Sequence, residues 1–264
     1  MDRPLITEET PSTWQELQNW CTEILKECGF DAETEYTVKL VRGKAEVEIF
    51  AREVVEGREY LTIIECKYWT SRVPQTVVHS FRTVVSDLGA NSGYIVSKAG
   101  FQTGAYEAAA NTNIKLVTWE EFQEEFVEQW YWEYLTKYVV ENIEPLSSYI
   151  EPLPPMPHWD MYLDDEDVER LVTLYEKHAP LTGLIMALSP YLQVLNPKFR
   201  QRLKLPLSEE VKQHLNLPEG IYARTGYREF LSDLTAHCSP ILEEFRCFRD
   251  KAVARKDAGE KPRR

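Results

Sequence analysis

Residues 45–69, AEVEIFAREVVEGREYLTIIECKYW, constrain this chain more than any other stretch. Apolar and polar residues alternate with period two on both sides of Glu56-Gly57, the pattern of strands with one face in a core. Glycine takes the positive φ that a two-residue hairpin turn needs, so Glu56-Gly57 predicts an antiparallel pair with a fixed register. That register sets Glu48 opposite Glu65 and Glu46 opposite Lys67, all four on one face. The other face, through Val47, Ile49, Ile64 and Cys66, is apolar and predicts packing against a helix. Two opposed carboxylates repel, and charges in an apolar strand are rarely buried unless paired or bound to an ion. Two arrangements answer this: a divalent cation between Glu48 and Glu65, or a solvated face with cross-strand pairs such as Glu46–Lys67.

The surrounding pattern fits a compact α/β sandwich ending near residue 118. WQELQNWCTEILKECGF carries apolar residues at helical spacing, Gly29 stops it, and Thr13 with Glu16 forms a capping-box pair at its start. EYTVKLV reads as a strand before the hairpin. VPQTVVHSFRTVVSDLG predicts a helix from after Pro74 to Gly89, SGYIVS a buried strand, GFQTGAYEAAANT a loop into a helix, and IKLVTW a last strand.

Beyond this the character changes. Residues 124–150 continue an acidic helix whose stripe of Trp119, Phe122, Phe126, Trp130, Tyr134 and Tyr138 predicts packing against the first domain. Residues 151–159 form a Pro-rich linker, 160–250 a mostly helical C-terminal domain, and 251–264 a basic disordered tail. The net charge of −13 is uneven: residues 119–169 hold 1 basic residue against 15 acidic, and residues 170–264 hold 17 against 11. The total therefore does not exclude a polyanionic partner. Lys198, Arg200, Arg202 and Lys204 read as a solvated charge cluster that could also track phosphates. Five scattered cysteines and the lack of a leader or a membrane-length apolar run predict a soluble, cytoplasmic protein with no membrane partner.

The string GKAEVEIFA, the hairpin and IIECKYW together resemble the acid–hairpin–(D/E)xK motif of PD-(D/E)xK nucleases. With the helix WQELQNWCTEILKECGF and the stretch VPQTVVHSFRTVVSDLGANSGYIVSKAGFQTGAYEAAANTNIKLVTWEEF, residues 13–123 look like the Mrr-like restriction endonuclease domain. The resemblance implies a restriction-endonuclease-like α/β fold with a central mixed sheet flanked by helices. By position, Glu48 and Glu65 would be the metal ligands, Lys67 the catalytic lysine, and Glu16 an acid supporting the metal shell. Gln75 sits near a site glutamine of related enzymes. The family usually has Asp where this chain has Glu48, one methylene longer. Ser97, Lys98 and Gln102, in the Gly-containing SKAGFQTGA loop, are candidate DNA contacts.

The expectation is a Mg²⁺-dependent (or Mn²⁺-dependent) DNA endonuclease acting on double-stranded DNA in restriction or defence. A lowered Lys67 pKa would let that residue help deprotonate water. Two alternatives remain: a catalytically weak nuclease-fold module that binds DNA or protein, and a structure-specific nuclease of repair or recombination. Homo-oligomerisation is left open by the sequence.

Overall fold

The computed structural model describes residues 5–40, 43–151, 158–191 and 200–263. Most of the Pro-rich linker, and Lys198 of the basic cluster, lie outside them. The chain divides into two compact units, Glu9–Tyr134 and Leu135–Arg264 with Met1–Glu8.

The first unit is a five-stranded mixed sheet flanked by helices, as the sequence pattern predicts. Its order is α1 (Trp14–Glu27), β1 (Asp31–Leu40), β2 (Gly43–Val55), β3 (Arg58–Lys67), α2 (Gln75–Leu88), β4 (Ser92–Ser97), α3 (Thr103–Ala109), β5 (Ile114–Val117) and α4 (Trp119–Trp130). The strands lie in sequence order, β1-β2-β3 antiparallel and β3-β4-β5 parallel. Glu56 (φ 51°) and Gly57 (φ 78°) both take positive φ, the geometry of a two-residue hairpin turn. Glu56 therefore adopts a conformation that glycine or asparagine takes more readily. In β3, Ile63 and Ile64 are both fully buried, one on each side of the sheet. Each contributes about 1.5–3 kcal/mol over exposure. Ile63 packs with Val78, Phe81 and Val85 of α2.

Thr13 caps α1 by accepting the Glu16 amide at 3.1 Å. The capping box is only half made, because the Glu16 carboxylate accepts from the Ser12 amide (2.7 Å) and hydroxyl (2.6 Å). The expected helix after Pro74 runs to Leu88 and ends on Gly89 in the left-handed region. The aromatic stripe of α4 is core material: Trp119, Phe122, Phe126 and Trp130 are buried, and Phe126 meets Phe30 edge-on at 6.0 Å.

The second unit is helical: α5 (Thr136–Asn142), α6 (Ser147–Ile150), α7 (Asp165–His178), α8 (Leu181–Leu188), α9 (Glu209–His214), α10 (Glu219–Ala223) and α11 (Tyr227–Asp257), with short 3₁₀ turns between. Leu5 to Glu8 close onto the start of α11, where the Tyr227 amide donates to the Leu5 carbonyl at 3.0 Å. The disordered tail expected from residue 251 is corrected here, because α11 continues to Asp257. Ala252 is fully buried, Lys251 pairs with Asp167, and Arg255 pairs with Asp164 at 2.7 Å, which holds that turn in the helix. Among the described residues, no helix is long and apolar enough to cross a membrane.

Candidate active site

The candidate site forms where the central strands part. β2 and β3 keep the register set by the turn from Val55↔Arg58 to Ile49↔Ile64, and the ladder ends there. On its other side β2 also misses a step. Thr34 pairs with Ile49 and Tyr36 with Val47, leaving Glu35 and Glu48 outside the ladder. Glu35 takes φ 53° within its strand, a strained conformation of a kind that gathers at functional sites. The break shifts the alternation. Val47 was expected on one apolar face with Ile49, but it packs with Ile63, Val78 and Phe81 on the α2 side.

Glu48 bridges the gap. Its Oε2 accepts the Cys66 amide at 2.6 Å, and its main-chain carbonyl accepts Nε2 of Gln18 at 2.7 Å. These bonds serve backbone groups where the strands separate and hold Glu48 from two sides. Lys67 Nζ then reaches Glu48 Oε1 at 3.2 Å and Glu65 Oε1 at 2.5 Å. Glu65, Cys66 and Lys67 are fixed in turn by parallel pairing with β4, Lys67 lying against Ser97. The register placed Glu46 opposite Lys67. Instead Lys67 pairs with Glu48 and Glu65, because the strands have already diverged at Glu46.

Burial raises the Glu48 carboxyl above its ordinary pKa and the Glu65 charge adds to this, while Lys67 and the Cys66 amide oppose it. For Lys67, burial alone would favour the neutral amine, but the Glu65 and Glu48 carboxylates outweigh it and the pKa rises. The residue is therefore an ammonium here. The lowered pKa that a general-base role needs is not what these neighbours impose. The Cys66 thiol, hydrogen-bonded to Cys21 and buried, is pushed well above its usual range, which makes it a poor nucleophile.

Two recesses share the border Glu46, Val47 and Glu65. One, of about 460 Å³, adds Trp14, Gln18, Glu35 and Glu48. The other, of about 410 Å³, adds Lys67, Trp69 and residues of α2 including Thr76 and Val77. The structure thus brings Glu48, Glu65 and Lys67 together. It does not add Glu16, which lines neither recess and spends its carboxylate on Ser12, a contact that lowers its pKa. Gln75 lies against Gly104 of α3, and the next residue, Thr76, faces the recess in its place. Ser97 is fully buried and donates to the Gly100 carbonyl at 3.1 Å, so it shapes the loop rather than meeting solvent. Lys98 is exposed, donates to the Tyr68 hydroxyl at 2.8 Å and lies 3.9 Å from that ring's centre. Gln102 reaches the Arg72 carbonyl at 3.4 Å. Lys98 and Gln102 thereby tie the SKAGFQTGA loop to the segment following the ECK motif.

Gln18, Glu35 and Trp69 were not singled out from sequence. Gln18 left a trace: it falls on the apolar stripe of α1 with Trp14, Cys21 and Leu25, and a buried amide needs a partner. Glu35 left none, since a positive φ in a strand follows from the break in pairing.

The donor set suits a hard cation. Two carboxylates converge on one ammonium, so a single cation position can see both. Among the described residues, no group of three or more His, Cys, Asp or Glu side chains converges at metal-binding distance.

Residues 11–126 match the model of a restriction endonuclease family, the Mrr catalytic domain. No curated protein matches the chain. Among solved structures, the protein of unknown function AF1548 is 18% identical with a TM-score of 0.36, over 61% of this chain and 96% of its own. The DNA modification-dependent restriction endonuclease AspBHI is 13% identical with a TM-score of 0.27, over 46% of this chain and 38% of its own.

Proposed function

We propose that this chain, whose residues 11–126 form a restriction-endonuclease domain of the Mrr type, hydrolyses phosphodiester bonds of double-stranded DNA with Mg²⁺ or Mn²⁺ as cofactor. The observation that carries this reading is the convergence of Glu48 and Glu65 on Lys67 at the mouth of a cleft. Glu48 and Glu65 would hold the metal. When bound, the metal supplies Lewis acidity toward the phosphate and makes bound water more acidic. Lys67 places an ammonium beside the reacting phosphate, where negative charge grows as the water oxygen adds to phosphorus and the bond to the leaving oxygen breaks. Gln18 and the Cys66 amide are positioning groups: they fix Glu48 so that a carboxylate one methylene longer than the family's usual Asp converges with Glu65 on Lys67.

Restriction of foreign DNA in the cytoplasm is the biological role that fits such a nuclease. The second unit would supply target recognition, oligomerisation or regulation. The 15 acidic residues of 119–169 would discourage DNA from approaching that surface. Purified chain should be incubated with unmodified, modified and branched DNA, with Mg²⁺, with Mn²⁺ and with EDTA. Metal-dependent cleavage of linear duplex is the expected result. Binding without cleavage on every substrate would leave the nuclease-fold binding module, and cleavage confined to branched DNA would point to repair or recombination.

A further inference from the structure

The recess between Lys67 and α2 is lined by two kinds of chemistry: the charged Glu65 and Lys67, and the apolar Trp69, Val77, Phe81 and Val84. Trp69 lies two residues beyond Lys67, the last residue of β3, and lines the same recess. The Lys67 ammonium is 5.7 Å from the centre of its ring. Trp69 is 41% exposed, so its ring is open to solvent beside the charged groups. A phosphate held beside Lys67 would carry its own nucleotide, and the Trp69 ring is a flat apolar surface within the same recess. Thr76 and Ser80 line the same recess, the Ser80 hydroxyl donating to the Thr76 carbonyl at 3.1 Å.

We propose that this recess receives one unstacked nucleobase next to the scissile phosphate, with Trp69 as its stacking face. The preferred substrate is then DNA whose base at the cut is unpaired or easily unpaired. The inference rests on the nuclease reading for the position of the phosphate. Its physical basis is general: a base leaving a duplex loses stacking and pairing, which costs least where pairing is already lost, and an aromatic face returns part of that loss.

The test is direct binding by the full chain, in Ca²⁺ and without turnover, to two fluorescent duplexes of one sequence. One duplex is fully paired and the other has a single unpaired central base. Fluorescence anisotropy gives the affinities of wild type, Trp69→Phe and Trp69→Ala. Stacking of this kind predicts roughly tenfold tighter binding of the unpaired duplex by wild type. Trp69→Phe should keep most of that preference and Trp69→Ala should lose it, with affinity for the paired duplex nearly unchanged in both. A 2-aminopurine at the unpaired position should change its fluorescence on binding to wild type but not to Trp69→Ala. Equal affinity of wild type for both duplexes, or a preference that survives Trp69→Ala, would overturn the proposal. Plasmid cleavage in Mg²⁺ is scored separately. Its loss in wild type counts against the nuclease, while a missing preference in an active nuclease counts only against the Trp69 site.

Discussion

Glu48 is the residue on which the site turns. One of its oxygens takes the Cys66 amide and the other meets Lys67, so it closes a gap in the sheet and, in the proposed function, would hold the metal. Glu48→Gln keeps the size of the side chain and an oxygen for the Cys66 amide but removes the charge. Cleavage should fall on the order of 10²-fold, as for comparable losses of active-site geometry and charge, with the thermal midpoint nearly unchanged. A parallel fall in folding would show that Glu48 acts mainly as a structural link. Glu16 gives the opposite expectation. Its carboxylate caps the start of α1 through Ser12, so Glu16→Gln should lower the melting temperature slightly and leave the cleavage rate as it was. A large loss of cleavage at unchanged stability would return Glu16 to the metal shell.

The supporting elements are held by close packing. α2 lies directly on β4 at Gly93, where an added Cβ would stand 2.8 Å from Val85 Cγ2 and 2.9 Å from Phe81 Cε1. Both neighbours are buried, so Gly93→Ala must push α2 away from the sheet, at a cost of about 1–3 kcal/mol. Chemical denaturation measures that cost, and a variant as stable as the parent would mean that α2 yields freely. Much at this level was legible in sequence. The Glu56-Gly57 turn predicted the hairpin, and period-two alternation predicted its pairing from Val55↔Arg58 to Ile49↔Ile64. The same rule failed at Val47 and Glu46, because alternation assumes that a ladder continues and the strands instead part at Glu48. Glu16, Gln75 and Ser97 each lie beside a neighbour that the motif did not name. Position along a motif does not say which neighbour will claim a side chain, and Ser12, Gly104 and Gly100 are those neighbours.

Over the whole molecule, charge and protonation separate the two units. The nuclease unit concentrates its chemistry in one ammonium and two carboxylates. The helical unit carries His178 at 5% exposure on α7, with the His237 ring of α11 centred 6.3 Å away. Burial first, then the charges of Lys177 and His237, lower the His178 pKa to about 4. An unfolded histidine takes up its proton near pH 6.5, so between about pH 6.5 and 4 the unfolded chain binds more protons and stability falls as pH falls. The loss should approach about 3 kcal/mol by pH 4. Urea midpoints between pH 7 and 4, for the parent and for His178→Gln, check this. A parent whose acid sensitivity matches the variant's would remove His178 as the cause.

In the proposed function Glu48, Glu65 and Lys67 form a metal-dependent nuclease centre. The most direct test is conversion of supercoiled plasmid to nicked and linear forms, with equal amounts of parent chain and Lys67→Ala, in Mg²⁺ or Mn²⁺ and in excess EDTA. The expected result is cleavage by the parent with metal, none in EDTA, and a rate for Lys67→Ala lower on the order of 10²-fold or more. Cleavage that persists in EDTA, or that Lys67→Ala carries out as fast as the parent, would contradict it.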